Sequence, residues 1–255
     1  SSDIEIIIFG NSKGSKEAAE KINAEYVPDV RCSPQGAPYL SDLFFKAGEI
    51  AKYSILMFIN ADIILPNNLL SIVKNTAKVF TKFLMVGHRW DLDVLDIVNF
   101  NDQTASEIFW EDAKNNSLKH PCTGIDYFVF RKNSFKNLPD FAIGRPGYDN
   151  WLLWNARRHF MPLIDVSNEV MVLHQNHDYR VYTDPKLFPD PDSLANKKLH
   201  QGRTLNLLDA NYHLMNGKIG KKRSKGFINR NLGKLPIIFP EFSFLLTIYK
   251  KLYRR

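Results

Sequence analysis

Four short stretches of the chain hold residue types that can do chemistry. In Phe58–Leu65 (FINADIIL), Asp62 stands just past an apolar run. A carboxylate there can hold a hard divalent cation, Mg²⁺ or Mn²⁺, which takes oxygen ligands and bridges carboxylates to substrate phosphates. The plainer alternative is an aspartate that caps a turn. In Val172–Tyr179 (VLHQNHDY), two imidazoles, a carboxylate, two amides and a phenol follow an apolar pair. Imidazole suits Mn²⁺-type sites, although a single histidine is more often structural. In Gly144–Trp151 (GRPGYDNW), Asp149 opens a predicted helix. It reads either as a helix N-cap or as a general base on a loop. In Gly10–Gly14 (GNSKG), small residues follow a short β-branched run. The motif is no Walker loop. It reads either as a plain turn or as a surface where a nucleotide's base or ribose lies against the backbone.

The elements that must carry these groups follow from pattern. Ile4–Phe9, Ala24–Val30, Ser54–Ile59 and Phe83–Val86 read as strands, and Ser15–Asn23, Tyr39–Lys52 and Asn67–Thr81 as helices. That βα rhythm over the first 90 or so residues predicts an α/β fold with a doubly wound, mostly parallel sheet flanked by helices. Such sheets bind ligands beyond the carboxyl ends of their strands, where both Gly10–Gly14 and Asn60–Asp62 fall. Downstream, a helix near Ser106–Asn115, strands at Tyr127–Arg131, Leu163–Asp165 and Val170–Leu173, and a helix at Trp151–His159 are expected. Asp184–Asp192, with three prolines, reads as irregular, and Leu194–Leu214 as mostly helical.

With 255 residues, 44% hydrophobic and 24% charged, the chain excludes wholesale disorder, collagen and coiled coil. It contains no apolar run of about 18 residues, so no membrane-spanning helix is expected. The start, SSDIEIII, shows no signal-peptide pattern. Two cysteines, Cys32 and Cys122, make no disulfide framework and favour a reducing compartment. Charge is uneven: residues 216–255 hold eleven Lys or Arg and one acid, which leaves a net of −3 on residues 1–215. The division expected is therefore a body, 1–215, and a basic, aromatic tail, 216–255. Lys218–Lys234 reads as mobile. Leu235–Tyr253 reads as an interfacial segment for an anionic membrane surface, with a helix docked on the body as the alternative. A cytoplasmic protein at the inner face of a membrane is the resulting expectation. The acidic body argues against nucleic acid as a partner.

Taken in order, these pieces resemble the GT-A fold of glycosyltransferases, in particular the family-2-like nucleotide-sugar transferases, which implies a Rossmann-like mixed, mostly parallel sheet flanked by helices, here with a basic C-terminal extension. The resemblance spans about residues 4–180. It rests on a first strand with a small-residue loop, the triplet Asn60-Ala61-Asp62 in the place of a D-x-D motif, Thr123-Gly124-Ile125-Asp126-Tyr127, then Gly147-Tyr148-Asp149, then His174. It implies that Phe9, Gly10, Asn11, Ser12, Asn60 and Ala61 meet the nucleotide, and that Asp62 and His174 bind the divalent metal, Mn²⁺ or Mg²⁺, with His177 as rival. It implies Asp149 as the base of an inverting transfer. His88, Arg89, Trp90, Asp91, Asp126 and His177 would line the donor or acceptor pocket. Trp90 would offer a ring face to a sugar, or else pack in the core. The partners implied are a nucleotide-sugar donor and a glycan or lipid-linked acceptor. Two positions depart from the family pattern: Asn60 is not an acid, and neither is Tyr148. The competing readings are a non-catalytic nucleotide- or carbohydrate-binding module and a nucleotidyltransferase. The second lacks the expected arginine in Phe9–Gly14.

Overall fold

The computed structural model of the chain describes residues 3–177, 190–242 and 244. Its elements run β1 (Ile7–Phe9), α1 (Ser15–Ile22), β2 (Glu25–Val27), α2 (Leu40–Ile50), β3 (Ile55–Ile59), β4 (Ile63–Ile64), α3 (Leu69–Val79), β5 (Leu84–Val86) and β6 (Arg89–Leu92). They continue with α4 (Gln103–Asn116), β7 (Leu118–Lys119), β8 (Tyr127–Arg131), α5 (Tyr148–Arg158), β9 (Leu163–Asp165) and β10 (Val172–Gln175). Next come α6 (Pro191–His200), β11 (Tyr212–Met215), β12 (Lys218–Lys221) and α7 (Lys225–Ile238).

The fold is mixed α/β, with mixed-orientation sheets and flanking helices. The central sheet has the order β12-β11-β9-β5-β8-β3. Strands β5, β9 and β11 are parallel, whereas β8 pairs antiparallel with both β5 and β3. The sheet is thus mixed, with β3, β5, β9 and β11 running one way and β8 and β12 the other. Strands β3 and β5 do run the same way, as a crossover through α3 requires, but they are not neighbours. The later strand β8 inserts between them, and nothing in the local βα rhythm encodes that insertion. Strands β1 and β2 form their own parallel pair, and a third sheet has the order β4-β10-β6-β7.

Side-chain alternation builds two core layers on the central sheet. Leu56, Phe58, Leu84, Val86, Phe128 and Phe130 face α2 and α5. Ile55, Ile59, Met85, Tyr127, Val129 and Ile164 face α3. Burial on both faces explains why β5 and β8 are unbroken apolar runs. Helix α5 is held hardest: Trp151, Leu152, Leu153, Trp154 and Ala156 are all buried. Each large side chain there contributes roughly 1.5–3 kcal/mol. The third sheet carries a smaller apolar layer, in which Ile64, Trp90, Leu92 and Leu173 meet Phe109, Trp110 and Ala113 of α4.

The C-terminal third differs from expectation in two places. The helix expected through Leu194–Leu214 stops at His200, because Gln201 and Gly202 adopt left-handed backbone (φ 51° and 75°). A 3-10 turn at Leu207–Asp209 and strand β11 follow. Lys218–Lys234, expected to be mobile, is ordered as β12 and most of α7. The boundary drawn at residue 215 falls between β11 and β12, which are antiparallel partners. Helix α7 docks on the body: Trp154 Nε1 donates to the Ile237 carbonyl at 2.7 Å, Ile238 is buried, and Phe239 stacks on Phe160. As far as Phe239, then, the docked-helix alternative describes this segment. Residues 178–189, including Asp178, Tyr179 and most of the proline-rich stretch, lie outside the described residues, as do 243 and 245–255 with the last basic cluster. Among the described residues no helix is long and apolar enough to cross a membrane.

Candidate functional site

Strand β3 ends by delivering Asn60-Ala61-Asp62 to the rim of the central sheet, and the chain then turns into β4. Strand β4 pairs antiparallel with β10, with Ile63 opposite His174. The Gln175 amide donates to the Asp62 carbonyl at 2.9 Å. That register brings His174 Nε2 to 3.4 Å from Asp62 Oδ2. One turn of chain later, His177 Nε2 lies 3.0 Å from the same oxygen. One donor atom from each of the three residues falls within 4.8 Å of the others. His174 is buried, Asp62 half-buried and His177 exposed, so the group opens to solvent on one side. Burial pushes the Asp62 carboxyl up, but hydrogen bonding and charge from His174, then His177, outweigh it and hold it below the usual range.

The group suits a divalent ion. Ligands at about 2.1 Å from a metal and at right angles stand about 3 Å apart, close to the two measured separations. Asp62 Oδ1 is buried with no hydrogen-bond partner among the described residues, a vacancy in hydrogen bonding that a cation would fill. Two imidazoles with one carboxylate favour Mn²⁺-type ions over Mg²⁺, which prefers all-oxygen shells.

Behind this group stands a chain of charges. Strand β6 is parallel to β10, with Asp91 opposite His174. Asp91 Oδ1 lies 3.2 Å from His174 Nδ1, so the buried imidazole sits between two carboxylates through its two nitrogens. Asp91 Oδ2 is 2.6 Å from His120 Nδ1. Arg89 reaches Asp91 through Nε at 3.0 Å and donates through a terminal nitrogen to Asp126 at 2.8 Å. Asn60 Nδ2 donates to the other Asp126 oxygen at 2.7 Å. Asn60 therefore serves Asp126; its amide is turned away from a ligand role toward that carboxylate.

Asp149 lies at the far end of this chain. It is the second residue of α5, and the N-cap is Gly147 with φ 106° and no side-chain cap bond. The N-cap alternative for Asp149 is thus set aside. A Cβ at position 147 would stand 2.8 Å from His200 Cδ2, so the loop that presents Asp149 needs glycine on both steric and backbone grounds. Asp149 Oδ1 is sequestered from solvent without a hydrogen-bond partner among the described residues. Burial, reinforced by the Asp126 charge, pushes its carboxyl up to about 6 against the pull of first-turn amides.

The remaining expected residues are distributed as follows. His88 donates its amide to Ser167 Oγ and approaches the His120 carbonyl through Nδ1 at 3.1 Å. Burial, then Lys119, lowers its pKa. Trp90 points the other way from Arg89 and Asp91, into the apolar layer under α4, with the Lys119 ammonium 5.6 Å from its ring centroid. Ala61 is exposed beside Asp62. The loop Phe9–Ser12 bonds to its own neighbourhood, Gly10 N to the Val27 carbonyl and Ser15 N to the Ser12 carbonyl; no described hydrogen bond joins it to the Asp62 group. His120 was missed by sequence reading. Its one signal is Gly124, where a Cβ would meet His120 Cδ2 at 2.1 Å, and a glycine requirement of that kind is invisible before the chain is folded. Comparison of the sequence with models of protein families and with curated proteins finds no match, so the residues themselves carry the functional reading.

Proposed function

We propose that this protein is a metal-dependent glycosyltransferase of the GT-A type, which moves a sugar from a nucleotide donor to a glycan or lipid-linked acceptor with inversion. The observation that carries this reading is the joining of two unlike features. One is an Asp62–His174–His177 group with the donors of a divalent-ion site. The other is the half-buried Asp149, whose Oδ1 is shielded from solvent and whose pKa is raised to about 6. Contacts of 2.8–3.2 Å run from His174 through Asp91 and Arg89 to Asp126, whose charge acts on Asp149.

In this reading the acceptor hydroxyl oxygen attacks the anomeric carbon, and the bond from that carbon to the β-phosphate oxygen breaks. The hydroxyl proton passes to Asp149, and the nucleoside diphosphate leaves. A bound divalent ion would supply Lewis-acid neutralisation of the departing pyrophosphate, held by Asp62, His174 and His177. Asp149 suits its task because a base with a pKa near neutrality combines deprotonation with driving force. Arg89 and Asn60 hold the Asp126 carboxyl in place, and Asp126 in turn contributes to the raised pKa of Asp149. Asp91 takes the position of a partner that orients His174 and presents its Nε2 outward. Phe9–Ser12 remains the proposed nucleotide surface, and residues beyond Phe239 the proposed contact with anionic membrane at the cytoplasmic face.

The direct test is a thermal-shift and turnover screen of UDP-, GDP-, TDP- and CMP-sugars with and without Mn²⁺. A cation-dependent stabilisation by one nucleoside-diphosphate sugar, with release of its diphosphate, is the expected result, and a response to the CMP-sugar alone would count against the leaving group proposed. Stabilisation by nucleotide without turnover would move the reading to a binding module. For the membrane contact, changing Lys250, Lys251, Arg254 and Arg255 together to Glu is expected to abolish sedimentation with anionic liposomes. Unchanged sedimentation removes that partner.

A further inference from the structure

Helix α4 turns one long face, Gln103, Ser106, Glu107, Trp110, Glu111 and Lys114, into an open groove of about 580 Å³. That volume lies within the range of small-ligand clefts, about 300–1,000 Å³. Across from the helix stand Asn67, just beyond β4, and Phe100 and Asn101, in the loop from β6.

The groove joins aromatic surface to hydrogen-bonding rim. Phe100 is 47% exposed yet fixed edge-on against Phe109 at 5.3 Å, and Phe109 meets Trp110 in the same manner at 5.5 Å. Trp110 is itself rooted in the apolar layer with Ile64, Leu92 and Leu173. The rings are therefore ordered before any ligand arrives, which lowers the entropy cost of binding. The carboxylates of the rim are already engaged: Gln103 Nε2 donates to Glu107 at 2.9 Å, and Lys114 pairs with Glu111 at 3.5 Å. Carboxylate and amide oxygens accept from hydroxyls, and amide N–H groups donate to them. An aromatic face covers the C–H side of a pyranose ring, while a rim of this kind serves its hydroxyls. Two carboxylates against one ammonium disfavour a polyanion, and their engagement by Gln103 and Lys114 disfavours a fixed cation.

The walls of the groove are outward continuations of the candidate site. The segment after Asp62 runs through β4 to Asn67, and the segment after Asp91 runs through β6 to Phe100. Asn176, next to His177, is bonded to the second segment through the Leu92 carbonyl and Asp93 Oδ1, both at 2.9 Å. We infer that this groove binds a neutral oligosaccharide, and that it holds the acceptor's glycan chain as it leads away from the Asp62 group. The acceptor role rests on the transferase reading above; the binding does not.

The test uses the full chain, without metal or donor. Neutral hexasaccharides of the malto, cello, chito and manno series are titrated to millimolar concentration, and the indole N–H resonances of the four tryptophans are followed by NMR. At least one series is expected to move the Trp110 resonance. Binding should weaken about tenfold, the scale of one or two lost hydrogen bonds, in Glu107→Gln/Glu111→Gln. That pair is exposed, so its melting temperature checks folding, which Trp110→Ala alone would leave ambiguous. No response to any series, a response at tryptophans other than Trp110, or a response to oligolysine but not to sugars would each overturn the inference. Asp62→Ala is expected to bind the same sugar unchanged. Sugar binding without turnover would keep the groove and reject the transferase; turnover without sugar binding would do the reverse.

Discussion

Two carboxylate clusters in this molecule have opposite designs. Near the C-terminus, Asp209 is 1% exposed and saturated. Arg230 grips both its oxygens at 2.6 and 3.0 Å, and the Asn206 amide donates to one of them at 3.0 Å in a reciprocal capping box. Around Asp62, one oxygen each of Asp62 and Asp149 is shielded from solvent without a hydrogen-bond partner among the described residues. Leaving a buried polar atom unmet costs about 1–3 kcal/mol. The first cluster fastens α7 to the 3-10 turn. The second gives up stability where a ligand could recover it. A count of buried charges would not separate the two.

Substitutions can break that contrast, beginning with the largest effect. Asp62→Ala is expected to abolish Mn²⁺-dependent release of nucleoside diphosphate. Calorimetric Mn²⁺ binding that persists in this variant would remove the proposed metal role. Asp209→Ala should instead act on stability, by about 1–3 kcal/mol, because it removes the acceptor of the Arg230 and Asn206 donors. Denaturant unfolding measures it, and an effect below that of an ordinary surface substitution would deny the saturated design.

Asp149→Asn is expected to cut transfer by about 10²-fold or more while donor binding persists. Its effect on stability has a definite sign. A carboxyl raised to about 6 in the fold, from an unfolded value near 3.9, holds its proton more tightly when folded. The native state therefore loses stability as pH rises through the window between those values, by up to about 3 kcal/mol. The Asn variant should lack that loss and melt higher than the parent above pH 6. The parent's activity should rise along a limb near pH 6, and a flat profile there would argue against this base. The smallest effect is expected from Asp91→Asn, a roughly 10- to 100-fold loss of Mn²⁺ affinity through a less well oriented His174. Electron paramagnetic resonance of free Mn²⁺ reads it directly. Unaltered affinity would confine Asp91 to a structural part.

Much of this site was visible in local sequence because its chemistry sits at strand ends. Asp62 and His174 each follow an apolar run, and both reach the same rim. Asp149 was legible as the acid at the start of α5, but not the burial that raises its pKa, which depends on Asp126 from another element. His120 left no local trace, since β7 is a two-residue strand whose only reason to exist is pairing with β6. Trp90 carried an ambiguous signal for a related reason: alternation along β6 sends Arg89 and Asp91 to one face and Trp90 to the other, and the choice of face needs α4 in place. In the tail, lysine and glycine content suggested mobility. Arg230 and Trp154 instead tie α7 down, through contacts 21 and 83 residues away in sequence.

The sequence by itself determined the α/β class, the apolar strands, most helices of the first 160 residues and the identities of the candidate ligands. These depend on periodicity and residue type within a window of a few turns. Tertiary structure alone decided the antiparallel insertion of β8, the pairing of β4, β6 and β10, and so the meeting of Asp62 with His174 and of Arg89 with Asp126. Strand order and register are set by competition among long-range pairings, whose loop-closure and packing terms no short window contains.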